Sequence, residues 1–192
     1  MENPIDKFLE WLEEAKKAGH IEPTAMNLAT VDEKGFPHNR MVLFKKVIDG
    51  NFVFFTNYNS NKAKQISKNN RVSLCFYWEK LEKQIRIEGL ATKTNSKISD
   101  EYFKTRFTLS KIGASVSKQS EVLHNYDEFL AEVKQLAEKY KGEDNIPRPA
   151  HWGGFAVEPI SIEFWQQGDF RLHKRTVFSK NKKGWDNFSL YP

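Results

Sequence analysis

Cysteine is almost absent from this chain of 192 residues, in which Cys75 is the single example. One cysteine excludes an intrachain disulfide and a cysteine-rich zinc site. The five histidines do not fall at metal-ligand spacings, so we predict no metal site. Cys75 lies in the apolar run VSLCFYW, which predicts a buried, unreactive thiol and favours a reducing cytoplasmic setting.

Long apolar runs and familiar catalytic motifs are also missing. No apolar stretch approaches the length of a membrane span, and the acidic, amphipathic start MENPIDKFLEWLEEAKKAGH is unlike a signal peptide. We therefore expect no membrane association. The chain has no G-x-S-x-G, H-E-x-x-H, Walker loop or G-x-G-x-x-G. Any demanding chemistry would have to come from a bound cofactor.

Aromatic residues and a modest positive charge are what the chain does have. Aromatic residues make up 14% and hydrophobic residues 39%, which supports a folded core. The formal net charge of +5 fits an anionic ligand, a nucleic acid or no specific partner. Because there is no basic tail, nucleic acid is the minority interpretation, and we predict no nucleic-acid partner.

Local patterns predict antiparallel strands with a few helices. Asn3 and Pro4 resemble the cap and first residue of a helix that ends near Gly19. A second clear helix spans 125–140, and its apolar stripe is predicted to be core. Strands are predicted over 25–31, 40–47, 52–56, 71–78 and 83–94 and in three segments after residue 154. About seven strands without a domain boundary predict one domain, residues 1–192, built as a small closed or partly open barrel.

Two candidate anion sites lie in the first third of the chain. Arg40 and Lys45 share a strand, and an offset of five places them on opposite faces, where they could serve two anions or one could be a surface group. Lys62 follows Ser60 in the first turn of a predicted helix, whose N-terminus suits phosphate. A cation there disfavours the helix unless an anion lies nearby; a solvent-facing lysine is an equally good interpretation.

Two further candidates lie between residues 102 and 120. Tyr102, Arg106 and Ser110 are four residues apart and share one face if a single helix reaches that far, which would make a phosphate clamp. The alternative is a half-buried tyrosine beside a surface arginine. Gln119 and Ser120 could bond a ligand, although a plain loop is the commoner explanation for ASVSKQSE.

Charged and titratable residues alternate in EFWQQGDFRLHKR, residues 163–175. If this segment is a regular strand, Arg171, His173 and Arg175 line one face. Three such groups repel one another unless an anion lies against them. The competing interpretation is a solvated edge strand that uses cations to discourage aggregation.

Several motifs occur in a fixed order over residues 22–192. They are EPTAMNLATVDEKGFPHNRMVLFK, VFFTNYNSNKA, LEKQIRIEG, YFKTRF, IGASVSKQS, HWGGF and IEFWQQGDFRLHKR. In these motifs the chain resembles the pyridoxine (pyridoxamine) 5′-phosphate oxidases, which are FMN enzymes. The resemblance implies a mainly β fold with flanking helices (α+β), the FMN-binding split β-barrel. It also implies a homodimer with FMN at the interface, an N-terminal helix over 1–20, and dimerisation and active-site strands over about 145–192.

Position by position, the resemblance implies roles for individual residues. FMN contacts are implied for Arg40, Met41, Val42, Lys45, Phe55, Thr56, Asn61, Lys62, Gln84, Gln119, Ser120, Trp165 and Arg175. Among these, Gln119 and Ser120 would reach across the dimer. Substrate contacts are implied for Lys45, Tyr102, Arg106, Ser110, Arg171 and His173. Arg171 and His173 would face the pyridine ring and are the implied catalytic residues.

The implied reaction oxidises pyridoxine 5′-phosphate or pyridoxamine 5′-phosphate to pyridoxal 5′-phosphate. A hydride equivalent leaves C4′ of the substrate for FMN, and O2 is reduced to hydrogen peroxide. The protein's part is mainly to position both ligands, and Arg171 would orient the C4′ substituent.

Four positions depart from the family pattern. Asn61 stands where arginine is common, which removes one cation from the FMN phosphate site. Phe55 replaces a frequent tyrosine, Ser115 a frequent tryptophan and Phe107 a frequent proline. Two alternatives therefore stay open: a split-barrel flavoprotein oxidase on another substrate, of the phenazine-pathway type, and a non-catalytic protein that binds FMN or pyridoxal 5′-phosphate.

Overall fold

The computed structural model describes residues 3–142 and 145–192. Within them the chain forms five α-helices: α1 (Pro4–Lys17), α2 (Asn61–Lys68), α3 (Ser96–Lys104), α4 (Thr108–Val116) and α5 (Tyr126–Lys139). The strands are β1 (Ala25–Val31), β2 (Pro37–Ile48), β3 (Asn51–Asn57), β4 (Arg71–Trp78), β5 (Lys83–Lys93), β6 (Trp152–Gln166), β7 (Lys174–Asn181) and β8 (Gly184–Leu190). Among the residues described, no helix is long and apolar enough to cross a membrane.

Antiparallel pairing joins the strands into one sheet in the order β3-β2-β1-β4-β5-β6-β7-β8. An additional pairing of β3 with β6 closes six of the strands into a barrel, and β7 and β8 extend from β6. The turn between β2 and β3 needs glycine, because Gly50 has a positive φ of 77°. The prediction of a mainly β fold with flanking helices is confirmed.

The core of the barrel follows from alternation along the strands. On β4, Phe76 is fully buried and faces inward, whereas its neighbour Cys75 is only half-buried on the other side. Burial still raises the pKa of the Cys75 thiol, which keeps it protonated and unreactive. Helix α1 contributes Phe8, whose ring lies edge-on at 4.8–5.1 Å from Phe44, Phe52 and Phe76. Full burial of one such ring is worth about 2–3 kcal/mol.

A smaller core lies beside the barrel and supports α3, α4 and α5. Its buried members are Phe103, Ile112, Ile146 and Trp152. The prediction that the α5 stripe is core is wrong for the first half of that helix, where Tyr126 is 62% exposed. Only side chains from Val133 onward pack against the smaller core, so α5 contacts the protein through its C-terminal half.

Strand β7 begins later than the alternating pattern of residues 163–175 suggests. The residues Arg171 and His173 are not on a strand, because β7 begins at Lys174. A 3-10 turn precedes it, in which Phe170 and Arg171 have positive φ values of 54° and 65°. The chain folds back so tightly that a Cβ on Gly168 would lie 2.2 Å from the Leu172 carbonyl oxygen. The predicted alternation of Arg171, His173 and Arg175 on one strand face is therefore wrong.

The single helix expected to carry the phosphate clamp is also absent. Helix α3 ends at Lys104, where Thr105 Oγ1 donates to the Tyr102 carbonyl at 2.8 Å and competes with the helical bonding pattern. Phe107 has extended backbone, and α4 then begins a new helix. Tyr102, Arg106 and Ser110 thus lie on α3, on the bend and on α4, respectively.

Candidate active site

A cleft of ≈ 720 Å³ opens between β2, β3 and the helices α3 and α4. The strands contribute Met41, Val42, Lys45, Phe55 and Thr56, and the helical side contributes Lys62, Tyr102, Arg106, Ser110 and Gln119. The sequence predicted a site role for all ten of these residues. The bend after α3 therefore places Tyr102, Arg106 and Ser110 along the same cleft as the residues of β2 and β3.

Lys62 is the centre of a polar network within this cleft. Its Nζ donates to Thr56 Oγ1 at 3.3 Å and to Gln119 Oε1 at 3.1 Å. Burial, together with the nearby positive charge of Arg40, lowers the pKa of Lys62 to about 8. Within the described part of the chain, Lys62 has no carboxylate partner. A partly desolvated lysine without a carboxylate partner favours the binding of an anion.

Arg40 lies behind Lys62 and is held by neutral oxygens. Its Nη1 donates to Thr30 Oγ1 at 2.6 Å and to the Leu28 carbonyl at 3.1 Å, and its Nη2 donates to Gln65 Oε1 at 3.3 Å. Burial lowers the pKa of Arg40 as well. Arg40 does not line the cleft itself, and it affects the cleft through its charge, which acts on Lys62.

The loop after α4 brings Gln119 and Ser120 to α2 of the same chain. Ser120 Oγ accepts from the backbone N–H of Asn61 at 3.2 Å, at the first residue of α2, and Gln119 meets Lys62 and Thr56. These contacts favour a place for Gln119 and Ser120 in the cleft of their own chain, and the contact across a dimer stays a prediction. Their positions within one chain follow from Asn57, whose Nδ2 holds the Ser117 carbonyl at 3.0 Å.

A second set of side chains lines the cleft around Arg106. Its guanidinium lies 4.6 Å from the ring centre of Trp152, and its Nη1 is buried without a hydrogen-bond partner. Burial lowers the pKa of Arg106. Lys45 Nζ lies 6.0 Å from the ring centre of Tyr102. Among the described residues neither Arg106 nor Lys45 forms an ion pair, so this set can also receive an anion.

The remaining predicted site residues form a separate group on β5, β6, β7 and the turn before β7. Gln84, Trp165 and Arg175 are register neighbours across the three strands, and the His173 ring lies 4.7 Å from Trp165. Arg171 is exposed in the 3-10 turn. None of these five residues lines the cleft of its own chain.

Two residues near these groups had no predicted role. Trp152 lines the cleft and contacts Arg106, and its sequence signal is its place at the start of a strand after a proline-rich link. Glu163 is 8% exposed and accepts from Arg175 Nε at 2.6 Å and from Arg86 Nη1 at 3.2 Å. A glutamate within an alternating strand gives no sequence signal of such burial.

Two family models match nearly the whole chain. The model described as pyridoxamine 5′-phosphate oxidase matches residues 12–140, and the model described as the pyridoxine 5′-phosphate oxidase C-terminal dimerisation region matches residues 152–192. Among solved structures, PhzG from Burkholderia lata in complex with tetrahydrophenazine-1-carboxylic acid has a TM-score of 0.95 at 28% identity, covering 100% of this chain and 94% of that one. A pyridoxamine 5′-phosphate oxidase-related, FMN-binding protein from Nostoc punctiforme has a TM-score of 0.81 at 14% identity, covering 100% and 98%, and shows the same fold.

Curated relatives match over 90–99% of their own length. A protein of Haemophilus influenzae named pyridoxine/pyridoxamine 5′-phosphate oxidase is 49% identical, covering 100% of this chain and 90% of the relative. Proteins of the same name from Pelagibacter ubique and Zymomonas mobilis are 43% and 44% identical, covering 99% and 100% of this chain and 92% and 99% of the relatives. The resemblance predicted from the sequence motifs is confirmed. This chain belongs to the pyridoxamine 5′-phosphate oxidase family.

Proposed function

We propose that this chain oxidises pyridoxine 5′-phosphate or pyridoxamine 5′-phosphate to pyridoxal 5′-phosphate, using FMN and reducing O2 to hydrogen peroxide. The observation that carries the proposal is one cleft with two cationic sets, Lys62 with Arg40 behind it and Lys45 with Arg106. Within the described residues neither set is neutralised by a carboxylate. Two phosphorylated ligands, one cofactor and one substrate, would neutralise both sets.

The set around Lys62 fits the phosphate end of FMN. Lys62 and Arg40 supply charge, Gln119 and Ser120 supply polar side chains, and Asn61 stands at the first turn of α2, whose N-terminus favours an anion. Met41, Val42 and Phe55 of the two adjacent strands would contact the rest of the cofactor. When bound, FMN accepts a hydride equivalent from the substrate carbon C4′ and passes the electrons on to O2.

The set around Arg106 fits the substrate phosphate. The unpartnered Nη1 of Arg106 would donate to a phosphate oxygen, and the hydroxyl groups of Tyr102 and Ser110 and the ammonium of Lys45 would donate to the others. Anchoring the phosphate fixes the position of the pyridine ring and hence of C4′. Such positioning is the protein's main contribution to the rate.

We propose that the separate group of Gln84, Trp165, Arg171, His173 and Arg175 completes the cleft of a partner subunit. The support is that these side chains do not line their own cleft, while residues 152–192 match a dimerisation region. In this arrangement Arg171 and His173 face the substrate ring, and Arg171 orients the substituent on C4′. Residues 1–192 would act as one domain, with dimerisation and active-site strands over about 145–192. A cytoplasmic location stays a prediction, consistent with one half-buried cysteine.

Two observations bear on the choice of substrate. Relatives named pyridoxine/pyridoxamine 5′-phosphate oxidase are 43–49% identical, whereas PhzG is 28% identical. The chain also keeps the cations and hydroxyls of the Arg106 set, which a substrate without phosphate would leave unpaired. Both points favour the phosphorylated pyridine substrates.

The test is reduction of the flavin without oxygen. FMN-loaded protein is mixed anaerobically with pyridoxine 5′-phosphate or, in a second sample, pyridoxamine 5′-phosphate, and the visible absorbance is followed. We expect bleaching that recovers when air is admitted, together with pyridoxal 5′-phosphate as product. Unphosphorylated pyridoxine is the control and should bleach the flavin far more slowly. A flavin that stays yellow with both phosphorylated compounds would contradict the proposal.

A further inference from the structure

Trp152 contacts two members of the Arg106 set, Tyr102 and Arg106 itself. Its indole ring is stacked on Phe55 at 5.4 Å and 7°, and it lies near-parallel to Tyr102 at 6.2 Å and 11°. The Arg106 guanidinium lies over the same indole at 4.6 Å. Trp152 is 6% exposed, so its ring is fixed in place by packing.

The aromatic contacts explain how Arg106 is held without a carboxylate. The guanidinium is 4.6 Å from Trp152 and 5.7 Å from the ring centre of Phe103, and it has no ion pair among the described residues. A cation over an aromatic face is attracted by the ring quadrupole, most strongly for tryptophan. This contact uses no N–H group of Arg106, and the buried Nη1 has no hydrogen-bond partner among the described residues. An acidic partner in the same place would compete with an anionic ligand.

The position of Trp152 is itself fixed by a neighbouring ion pair. Arg148 Nη1 donates to the Trp152 carbonyl at 2.5 Å, and its Nε donates to Asp100 Oδ1 at 2.7 Å. Asp100 lies on α3, two residues before Tyr102. Arg148 therefore connects the start of β6, where Trp152 lies, to the helix that carries Tyr102.

We propose that Trp152 is a positioning residue of the substrate-phosphate site, acting through Arg106. The indole face sets the orientation in which the Arg106 guanidinium meets the phosphate, and Trp152 itself donates nothing to it. This inference rests on the proposed function, in which Arg106 binds the phosphate of substrate and product. It predicts that Trp152 contributes to affinity only when the ligand carries a phosphate and only when Arg106 is present.

The experiment compares two ligands that differ by the phosphate. For the FMN-loaded protein, the dissociation constants of pyridoxal 5′-phosphate and of pyridoxal are measured by quenching of flavin fluorescence or by calorimetry. The variants are Trp152→Leu, which removes the ring, and Trp152→Phe, which keeps a smaller one. Tyr140→Leu is the matched control, because Tyr140 packs against the same small core without a contact to Arg106.

We expect Trp152→Leu to weaken pyridoxal 5′-phosphate binding about tenfold and Trp152→Phe about threefold, as the loss of a desolvated cation–π contact implies. Binding of pyridoxal should change in neither variant, and Tyr140→Leu should leave both ligands unaffected. In turnover, KM for the phosphorylated substrate should rise while kcat at saturation stays near the parent value.

A double-mutant cycle with Arg106→Ala decides whether Trp152 acts through Arg106. In the Arg106→Ala background, adding Trp152→Phe should cause no further loss of pyridoxal 5′-phosphate affinity. An equal loss with and without Arg106, or equal weakening of pyridoxal, would overturn the inference and leave Trp152 a core residue only. If Trp152→Leu loses its FMN, the milder Trp152→Phe carries the same comparison. A parent protein that does not distinguish pyridoxal 5′-phosphate from pyridoxal would instead contradict the proposed function.

Discussion

At the scale of single residues, the titration of Lys62 is the most direct test of the FMN phosphate site. Its pKa is lowered to about 8 by burial and by the charge of Arg40, so free protein loses this cation as the pH rises through that value. A bound phosphate stabilises the charged form, so affinity for FMN must fall over the same range. From about pH 7 to about pH 9 we expect the FMN dissociation constant to rise about tenfold. Fluorescence titration of the apoprotein measures it.

Two lysine variants test whether Lys62 causes the pH dependence of the FMN dissociation constant. Lys62→Met should bind FMN more weakly at neutral pH and show a nearly flat profile, because the titrating group is gone. Lys64→Met removes an exposed lysine from the same helix and should keep the parent profile. If Lys62→Met keeps the parent dependence of the FMN dissociation constant on pH, a group other than Lys62 causes it.

Arg106 tests the substrate-phosphate site in the same way. Arg106→Ala removes a charged donor whose Nη1 has no hydrogen-bond partner among the described residues, so the main loss should fall on ligand binding, beside the loss of its packing on Trp152. We expect KM for pyridoxine 5′-phosphate to rise about ten- to hundredfold, as the loss of one charge-assisted hydrogen bond implies. Steady-state oxygen consumption gives KM, with Lys104→Ala, an exposed lysine outside the cleft, as the control. An unchanged KM would count against the clamp.

Residue types were easier to predict than their geometry. The spacing of Tyr102, Arg106 and Ser110 predicted correctly that the three line one site, but not that a single helix carries them. The helix ends before Thr105, and the three residues lie around a bend. Spacing of four still places residues near one another when a helix restarts after a short turn. The support from Trp152 could not be read from the sequence, because it depends on a contact between segments about fifty residues apart.

At the scale of strands and turns, the segment before β7 shows what alternation does not reveal. Arg171, His173 and Arg175 look like one face of a strand, but the positive φ values of Phe170 and Arg171 belong to a turn. The Gly168–Asp169 pair was the available turn signal, and the regular spacing of the cations outweighed it. Strands β1 and β4 were predictable because more and less buried residues alternate along their seven and eight residues.

Glu163 provides a prediction at this scale, because it links three neighbouring strands. From β6 its carboxylate accepts from Arg175 on β7 and from Arg86 on β5, and its side chain is only 10% exposed. Glu163→Gln leaves two guanidinium groups facing a neutral amide, so we expect a loss of about 1–2 kcal/mol in the free energy of unfolding. Urea denaturation at neutral pH measures it. The control is Glu158→Gln, which removes an exposed ion pair between Glu158 on β6 and Lys180 on β7. It should change the free energy of unfolding by less than about 0.5 kcal/mol. A loss as large as that of Glu163→Gln would contradict the predicted role of the Glu163 pairs.

At the scale of the whole molecule, the fold separates two halves of the proposed site. The barrel and the α3–α4 bend assemble Lys62, Lys45 and Arg106 within one cleft, whereas Arg171 and His173 lie outside it. In a dimer with two-fold symmetry every interface contact occurs twice. The Arg171 and His173 group of each chain could then complete the cleft of the other chain. The sequence could not predict this division, since the same motifs would be present if one chain supplied the whole site.

A mixed dimer of two inactive variants tests the division. Arg106→Ala damages the cleft and Arg171→Leu damages the separate group, so each homodimer should be nearly inactive at a substrate concentration near the parent KM, far below the KM of Arg106→Ala. If each site takes its cleft from one chain and Arg171 from the other, a heterodimer contains one site with both changes and one site with neither. Co-expression with two different affinity tags isolates that heterodimer, and its turnover should be about half that of the parent dimer. Sites contained within single chains would give a heterodimer as inactive as the two homodimers, because each cleft would then carry one of the changes.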